Sequence, residues 1–403
     1  MIYFYISTVI FLGGIFIVYW LHNQYHLDIV VKPTPPPPEA PFISICVPAR
    51  NEERNIRACV ESILAQDYPD FEVIVLDDRS TDATSEILRD LLMESGSLLS
   101  GRKEPALFLQ IINGSDVPKG WAGKPHALFQ ASAAARDTPG AWLCFVDADT
   151  FLSPATLSSC YAKAIETNAD MFTIMTFQIL GSFWEKIVMP IVMTALSVGF
   201  SPRKVNDPNS KDAIANGQFL LIKRSVYAAI GGHESVRDQI VEDKAIAEQV
   251  KWNGYRLVVA NGYSVARTRM YTSLSEMWEG WTKNIYLGLS GRPALLLLGA
   301  FGAFIALVAA LILPIWPLLG IFWYVQGGGW LALSVIAKSL ILWAIVIYAR
   351  AQVAIGMGIS PWYALTLPLG AAVFAGMMFT STWKVLSGKG VTWKGRLYAP
   401  KSS

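Results

Sequence analysis

The feature that most constrains this chain is where its apolar sequence lies. Residues 2–20 form an uncharged apolar run just long enough to cross a bilayer, and beyond Tyr286 the composition is membrane-like to the end. Apolar stretches cover 294–313, 330–347 and 362–378, with further apolar sequence between Pro317 and Val325. They explain a chain that is 53% hydrophobic and only 16% charged, too apolar for an ordinary soluble enzyme. The first run has neither the basic start nor the small-residue cleavage site of a secretory signal, so residues 1–22 are expected to remain as an anchor. The tail, 384–403, holds Lys384, Lys389, Lys394, Arg396 and Lys401 without one acid, which places it in the cytoplasm by the positive-inside rule. A catalytic domain on that same side requires an even number of C-terminal crossings. Either 314–325 helps to form a fourth crossing or one stretch is re-entrant.

Between these ends the pattern changes. A net charge of +2 offers no global basic field for nucleic acid. The run from Lys32 to Pro38 cannot form helix or central strand, so 23–41 is expected to be an extended, stiff linker. From Phe42 strands and helices alternate. Residues 42–47 read as a buried strand ending at Pro48. Ile56, Cys59, Val60, Ile63 and Leu64 then recur at helical spacing. Residues 71–76 form a second strand ending in Asp77-Asp78, with Thr81 and Asp82 placed to cap the next helix. A third strand follows at 107–112, a helix at 124–136 with Pro125 in its first turn, and a fourth strand at 142–146. Such alternation implies an α/β fold, a mostly parallel sheet covered by helices, over a domain spanning 42–290. The segment 187–200, interrupted by Pro190, is too short to span and fits a core helix or a helix on the membrane surface equally well. Residues 216–222 resume strand character, Gly231-Gly232-His233 marks a turn, and Glu242-Asp243 opens a helix running to about Trp252. Transmembrane helices are expected over 291–383.

The chemistry concentrates where strands end. In open α/β sheets ligands bind at the carboxyl ends of strands. Asp147-Ala148-Asp149, closing the fourth strand, spaces two carboxylates to share a hard cation, Mg2+ or Mn2+, with a phosphorylated ligand. Alone it is also an ordinary turn. No G-x-G-x-x-G follows the first strand and no G-x-x-x-x-G-K-[ST] occurs, so dinucleotide and P-loop readings lose their support. Cys46, Cys59, Cys144 and Cys160 lack C-x-x-C pairing and read as buried thiols. His126 and His233 have no metal-ligand spacing.

Four motifs in order, Val47-Pro48-Ala49-Arg50-Asn51-Glu52, Leu76-Asp77-Asp78-Arg79-Ser80-Thr81-Asp82, Asp147-Ala148-Asp149 and Val241-Glu242-Asp243, resemble the family 2 glycosyltransferases with the GT-A fold, a Rossmann-like nucleotide-diphospho-sugar transferase fold. The resemblance covers roughly 42–286. Gly123-Lys124-Pro125-His126-Ala127, Gly280-Trp281-Thr282-Lys283-Asn284 and Trp393-Lys394-Gly395-Arg396, with the flanking membrane segments, look most like the carotenoid- and hopanoid-associated members.

That resemblance implies roles. Asp78 would accept a hydrogen bond from the base of a nucleotide sugar, beside Asp77, and the loop holding Pro48, Arg50 and Glu52 would line the same pocket. Asp149 would hold the metal bridging the diphosphate, Asp147 would lie near the ribose or sugar, and Lys124 would add positive charge at the phosphates unless it is an ordinary solvated lysine. Asp243 would be the base that takes the proton of the acceptor alcohol, with Glu242 its neighbour, although acids also favour a helix N-terminus for its dipole. One base serves direct displacement, so the configuration should invert. Where processive members carry Gln-x-x-Arg-Trp, this chain has Trp278-Glu279-Gly280-Trp281-Thr282-Lys283-Asn284, which favours transfer of a single sugar. Trp278 and Trp281 share a helical face, suited either to the acceptor or to a membrane interface. The expectation is a multi-pass cell-membrane enzyme with a cytoplasmic catalytic domain. It would move glucose from UDP-glucose to the hydroxyl of a carotenoid or related isoprenoid, with diacylglycerol, ceramide, sterol and hopanoid as alternative acceptors. A nucleotidyltransferase is the rival class, but it would carry a glycine-rich basic loop where this chain has Pro48 to Glu52.

Overall fold

Alternation of apolar residues along the first two strands sorts the centre of the chain into two faces of one sheet. In the computed structural model, which describes residues 1–24, 27–98, 109–289, 293–393 and 396–398, the large sheet comprises β1 (Ile43–Ala49), β2 (Phe71–Asp77), β3 (Leu109–Asn113), β4 (Trp142–Phe145), β5 (Met171–Met175), β6 (Leu220–Lys223) and β7 (Leu257–Asn261). Their order is β3-β2-β1-β4-β6-β5-β7, and only β6 runs antiparallel to its neighbours. Ile43, Ile45 and Val47 join one core with Cys59 and Val73, whereas Cys46 joins the other with Ile74 and Leu76. This is the period-2 consequence of a strand buried on both sides. Ser44, facing the second core, donates to Glu72 at 2.7 Å, and the Arg136 N–H donates to the same carboxylate at 2.8 Å. All four cysteines are buried and free. A small second sheet joins Thr150–Leu152, Ala266–Thr268 and Phe177–Gln178.

The linker departs from expectation. It is extended, but it is not a free spacer. Val31 donates its N–H to the Asn261 carbonyl at 2.8 Å and is wholly buried, Asn261 donates back to Ile29, and the Thr34 N–H reaches Ser159. An apolar Val30-Val31 pair beside the prolines binds the strap to the end of the edge strand β7, at Asn261. Two further corrections are local. Of the strand expected at 216–222, only Leu220–Lys223 is strand; the residues before it form a turn. The third strand begins at Leu109 within the described residues, while 107–108 lie outside them, as do 394–395 of the Trp393–Arg396 motif and Lys401.

Contacts divide the chain into two units, Leu27–Ile179 with Pro202–Met270, and Met1–His26 with Leu180–Ser201 and Tyr271–Ser403. The second unit is helical: α1 (Ile2–Gln24), α2 (Phe183–Gly199), α3 (Leu274–Leu289), α4 (Pro293–Ile312), α5 (Trp316–Trp323), α6 (Gly329–Gly356) and α7 (Leu367–Leu386). Helix α2 starts four residues before its apolar run because Ser182 and Glu185 form a capping box. It packs on α7 through Gly370, where a Cβ would come within 2.5 Å of the Ile187 carbonyl. It is therefore a helix of the apolar unit.

Among the described residues four stretches are long and apolar enough to cross a membrane: Ile2–Asn23, Ala294–Ile312, Trp316–Gly356 and Pro361–Leu386. The third, 41 residues, is too long for one pass and folds back at Gly327, whose φ is +90°. Gly320 lies against Ile336, and Leu313 and Pro314 share a cavity with Trp343 and Val346, so α5 runs antiparallel to α6. The stretch expected at 314–325 is thus a short helix folded back on α6, too short at eight residues to cross a bilayer by itself. The strand Val391–Trp393 then packs on α3.

Candidate active site

Strands β2, β1 and β4 end side by side, so the loops that leave them share one edge. The first two loops are a single knot. Arg50 donates to the Asp78 carbonyl at 2.7 Å, the Asn51 N–H to Ser80 at 3.0 Å, the Thr81 N–H to the Asn51 side chain at 2.8 Å, and the Glu52 N–H to Thr84 at 2.8 Å. Asn51 and Arg79 hold left-handed backbone, φ +53° and +57°. Asp77 is spent within this knot, accepting from the Ser80 N–H at 3.0 Å and from the Ser85 hydroxyl. Asp78 is buried, with Arg79 Nε 3.6 Å from its carboxylate. Pro48 lies within β1 opposite Leu76.

Asp147-Ala148-Asp149 is indeed a turn, closed by the Thr150 N–H donating to the Asp147 carbonyl at 3.0 Å. The turn projects Asp147 toward the helix Gly123–Ala134 and the start of the helix Glu242–Trp252. Lys124 Nζ sits 2.6 Å from Asp147 Oδ1 and 2.7 Å from Glu242 Oε1, so it is no ordinary solvated lysine. Asp243 Oδ2 accepts the Gly217 N–H at 2.9 Å and Oδ1 the Lys244 N–H at 2.7 Å. Asp147, Lys124, Gly217, Glu242 and Asp243 line one cleft with His233 and Phe145.

Electrostatics tie this cluster together. Burial raises the pKa of Asp243, and Lys124 only partly offsets it; Glu242 is raised in the same way, with Asp243 adding to the effect. Burial by itself would lower Lys124, but Asp147, Glu242 and Asp243 outweigh it and hold the ammonium well above its ordinary value. His233, buried against Phe145 and bonded to the Tyr227 hydroxyl at 2.7 Å, is pushed down to about 3 by burial and then by Lys124, so it stands as a neutral wall.

Sequence reasoning missed Gly217. A Cβ there would lie 3.2 Å from Lys124 Nζ, 3.3 Å from Asp243 Oδ2 and 3.4 Å from Asp147 Oδ2. Its turn is fixed by Asn216, whose N–H donates to Thr173 Oγ1 at 3.1 Å and whose side chain donates to the Ile174 carbonyl at 3.0 Å. The available signal was a glycine inside a strand pattern, which marks close backbone approach. Gly217→Ala is expected to displace the acids by a few tenths of an ångström and cut transfer about tenfold or more. The melting temperature should stay near wild type; unchanged turnover would show that the site has slack.

The structure does not gather every expected residue into that cleft. Asp78 and Asp149 are outside its lining, Asp78 two strands along the same edge, about 10 Å from the end of β4. Trp278 and Trp281 belong to the helical unit, where Trp281 is buried against Tyr271 and Trp278 packs on Gly376. Among the described residues no group of three or more His, Cys, Asp or Glu could hold a metal ion. A hard cation held by Asp149 would therefore need most of its oxygen ligands from a bound phosphate or from water rather than from these residues.

Residues 44–231 match the family model described as Glycosyl transferase family 2. The chain is 27% identical over 252 residues to 4,4'-diaponeurosporenoate glycosyltransferase of Staphylococcus aureus (strain USA300), covering 62% of each chain. With the same-named protein of strain MRSA252 the identity is 28% over 268 residues, 65% of this chain and 66% of that one. The match thus spans less than two thirds of these relatives' length. Among solved structures, the mannosyltransferase PcManGT from Pyrobaculum calidifontis, in complex with GDP-Man and Mn2+, superposes with a TM-score of 0.53 at 17% identity, covering 95% of this chain and 98% of that one. The likeness establishes the fold.

Proposed function

We propose, for a chain that carries a family 2 glycosyltransferase domain at residues 44–231, that it transfers one sugar from a nucleotide donor to the hydroxyl of a carotenoid-type lipid with inversion. The observation that carries this reading is the joined cluster of Asp147, Lys124, Glu242 and Asp243 at the carboxyl edge of the sheet. An extended nucleotide sugar laid along that edge meets Asp78 at its base and the cluster at its sugar. Asp243 removes the acceptor proton; two backbone N–H groups hold its carboxylate in place, and burial makes it a stronger base than an exposed aspartate. Asp149, with the donor's diphosphate oxygens, would hold Mg2+ or Mn2+, which neutralises charge on the departing nucleoside diphosphate. Lys124 supplies a second positive charge beside the sugar.

UDP-glucose is the proposed donor and an isoprenoid alcohol the proposed acceptor; a carotenoid-type acceptor is the part of this reading that the name of the S. aureus relatives and the apolar helices support. The basic tail supports a cytoplasmic site on the inner face of the cell membrane. The linker and membrane helices are taken to anchor the transferase domain there. The test is mass spectrometry of lipid extracts from cells with and without the protein. A new lipid bearing a single hexose is expected. Chains of several sugars would remove the single-transfer reading, and a glycosylated product without a lipid would remove the acceptor class.

A further inference from the structure

Helix α6 carries only two charges, and they are handled differently. Lys338 donates to Thr8 of α1 at 2.7 Å and lies 3.8 Å from the centre of the Phe4 ring. Arg350 has no such settlement. It is 7% exposed, its Nη2 makes one long contact of 3.4 Å to the Ile187 carbonyl, and its Nε and Nη1 are buried without an acceptor. Residues 280–403 contain nine Lys and Arg and no Asp or Glu, and the acid of α2 nearest Ile187, Glu185, is engaged in its own capping box with Ser182. An arginine buried in apolar helices with idle donors calls for an anion.

The neighbourhood says what kind. An apolar cavity of about 60 Å³ is walled by Trp343, Val346 and Ile347 of α6, by Leu365 just before α7, and by Leu367 and Pro368 at its start. Arg350 follows those α6 residues by seven, four and three positions, so it lies on the same helical face one turn on. From the other side, Gly370 abuts the same Ile187 carbonyl that Arg350 touches, two residues after Pro368. Cavity and guanidinium are therefore neighbours along both helices. Arg350 is six residues from the end of α6, about 9 Å along its axis, close to where a pass leaves the hydrocarbon. Basic pockets between membrane helices at that depth suit anionic head groups.

We propose that Arg350 and this cavity form a binding site for an anionic phospholipid, the phosphate pairing with the guanidinium and an acyl chain entering between α6 and α7. The test uses the full chain purified in mild detergent, with melting followed as phosphatidylglycerol, phosphatidylcholine or palmitate is added. Phosphatidylglycerol is expected to raise the melting temperature by roughly 4 °C or more at saturation, and phosphatidylcholine to leave it unchanged. Arg350→Gln should lose that shift and Arg350→Lys keep part of it. Ile347→Trp, which fills the cavity and leaves the charge, should also lose it, and it carries the test if the glutamine variant does not fold. Equal stabilisation by phosphatidylcholine, a shift that survives both Arg350→Gln and Ile347→Trp, or stabilisation by palmitate alone would each overturn the proposal.

Discussion

Asp243→Asn should lower sugar transfer by about 10²–10⁴-fold while leaving donor binding intact. The asparagine oxygen can accept only one of the two backbone N–H groups that the carboxylate now holds, from Gly217 or from Lys244, so intact donor binding is the control that separates loss of the base from local rearrangement. Glu242→Gln is the informative companion. Its carboxylate is 4% exposed and engaged by Lys124, so its loss should appear first as a less stable cluster and a smaller fall in rate. Wild-type pH dependence carries the same message. Burial raises Asp243 above the ordinary carboxylate range, and a base must be ionised to act. The acidic limb of the rate profile should therefore lie at higher pH than an exposed aspartate would give. Turnover by Asp243→Asn within tenfold of wild type, with the acidic limb unchanged, would move the base elsewhere.

How much of this was legible in the sequence follows from what each residue needed. Unbroken apolar runs ending in Asp77-Asp78 or Asp147-x-Asp149 announce buried parallel strands with acids at one edge, because helices on both faces leave only the ends polar. Partners in space are another matter. Lys124 has the same sequence signature whether solvated or clamped between two carboxylates that lie 23 and 118 residues away. Gly217 reads as part of a strand until the side chains of Asn216 and Thr173 fix its turn. Val31 was hidden by the prolines beside it, since a spacer composition says nothing of an edge strand waiting at Asn261. The fold-back of α5 on α6 was ambiguous for a similar reason. Hydropathy sees one apolar stretch, and it is the positive φ at Gly327 and Gly329 that turns it back.

Lys124→Met is expected to have the second large effect, on stability and on pH dependence together. Removing the ammonium leaves Asp147, Glu242 and Asp243 facing one another without a cation. A fully buried pair broken in this way costs about 3–5 kcal/mol, and an exposed pair about 1 kcal/mol or less. The Lys124 side chain is 37% exposed, so the loss should fall between these limits. The sign with pH follows from the acids. Burial already raises Glu242 and Asp243, and Lys124 is the term that pulls them back down. Groups raised in the folded state contribute stability at acid pH that disappears as pH climbs past their unfolded values toward the folded ones. Without Lys124 the two acids rise further, so the variant should lose more stability between acid and neutral pH than wild type does. Its rate should fall by tenfold or more near neutrality and recover in part as pH increases, because a higher pH is then needed to ionise Asp243. Melting curves and rates measured across the same pH series decide it. Parallel curves for variant and wild type would mean that the lysine does not govern the acids, and the cluster would then be four neighbours rather than one titrating unit.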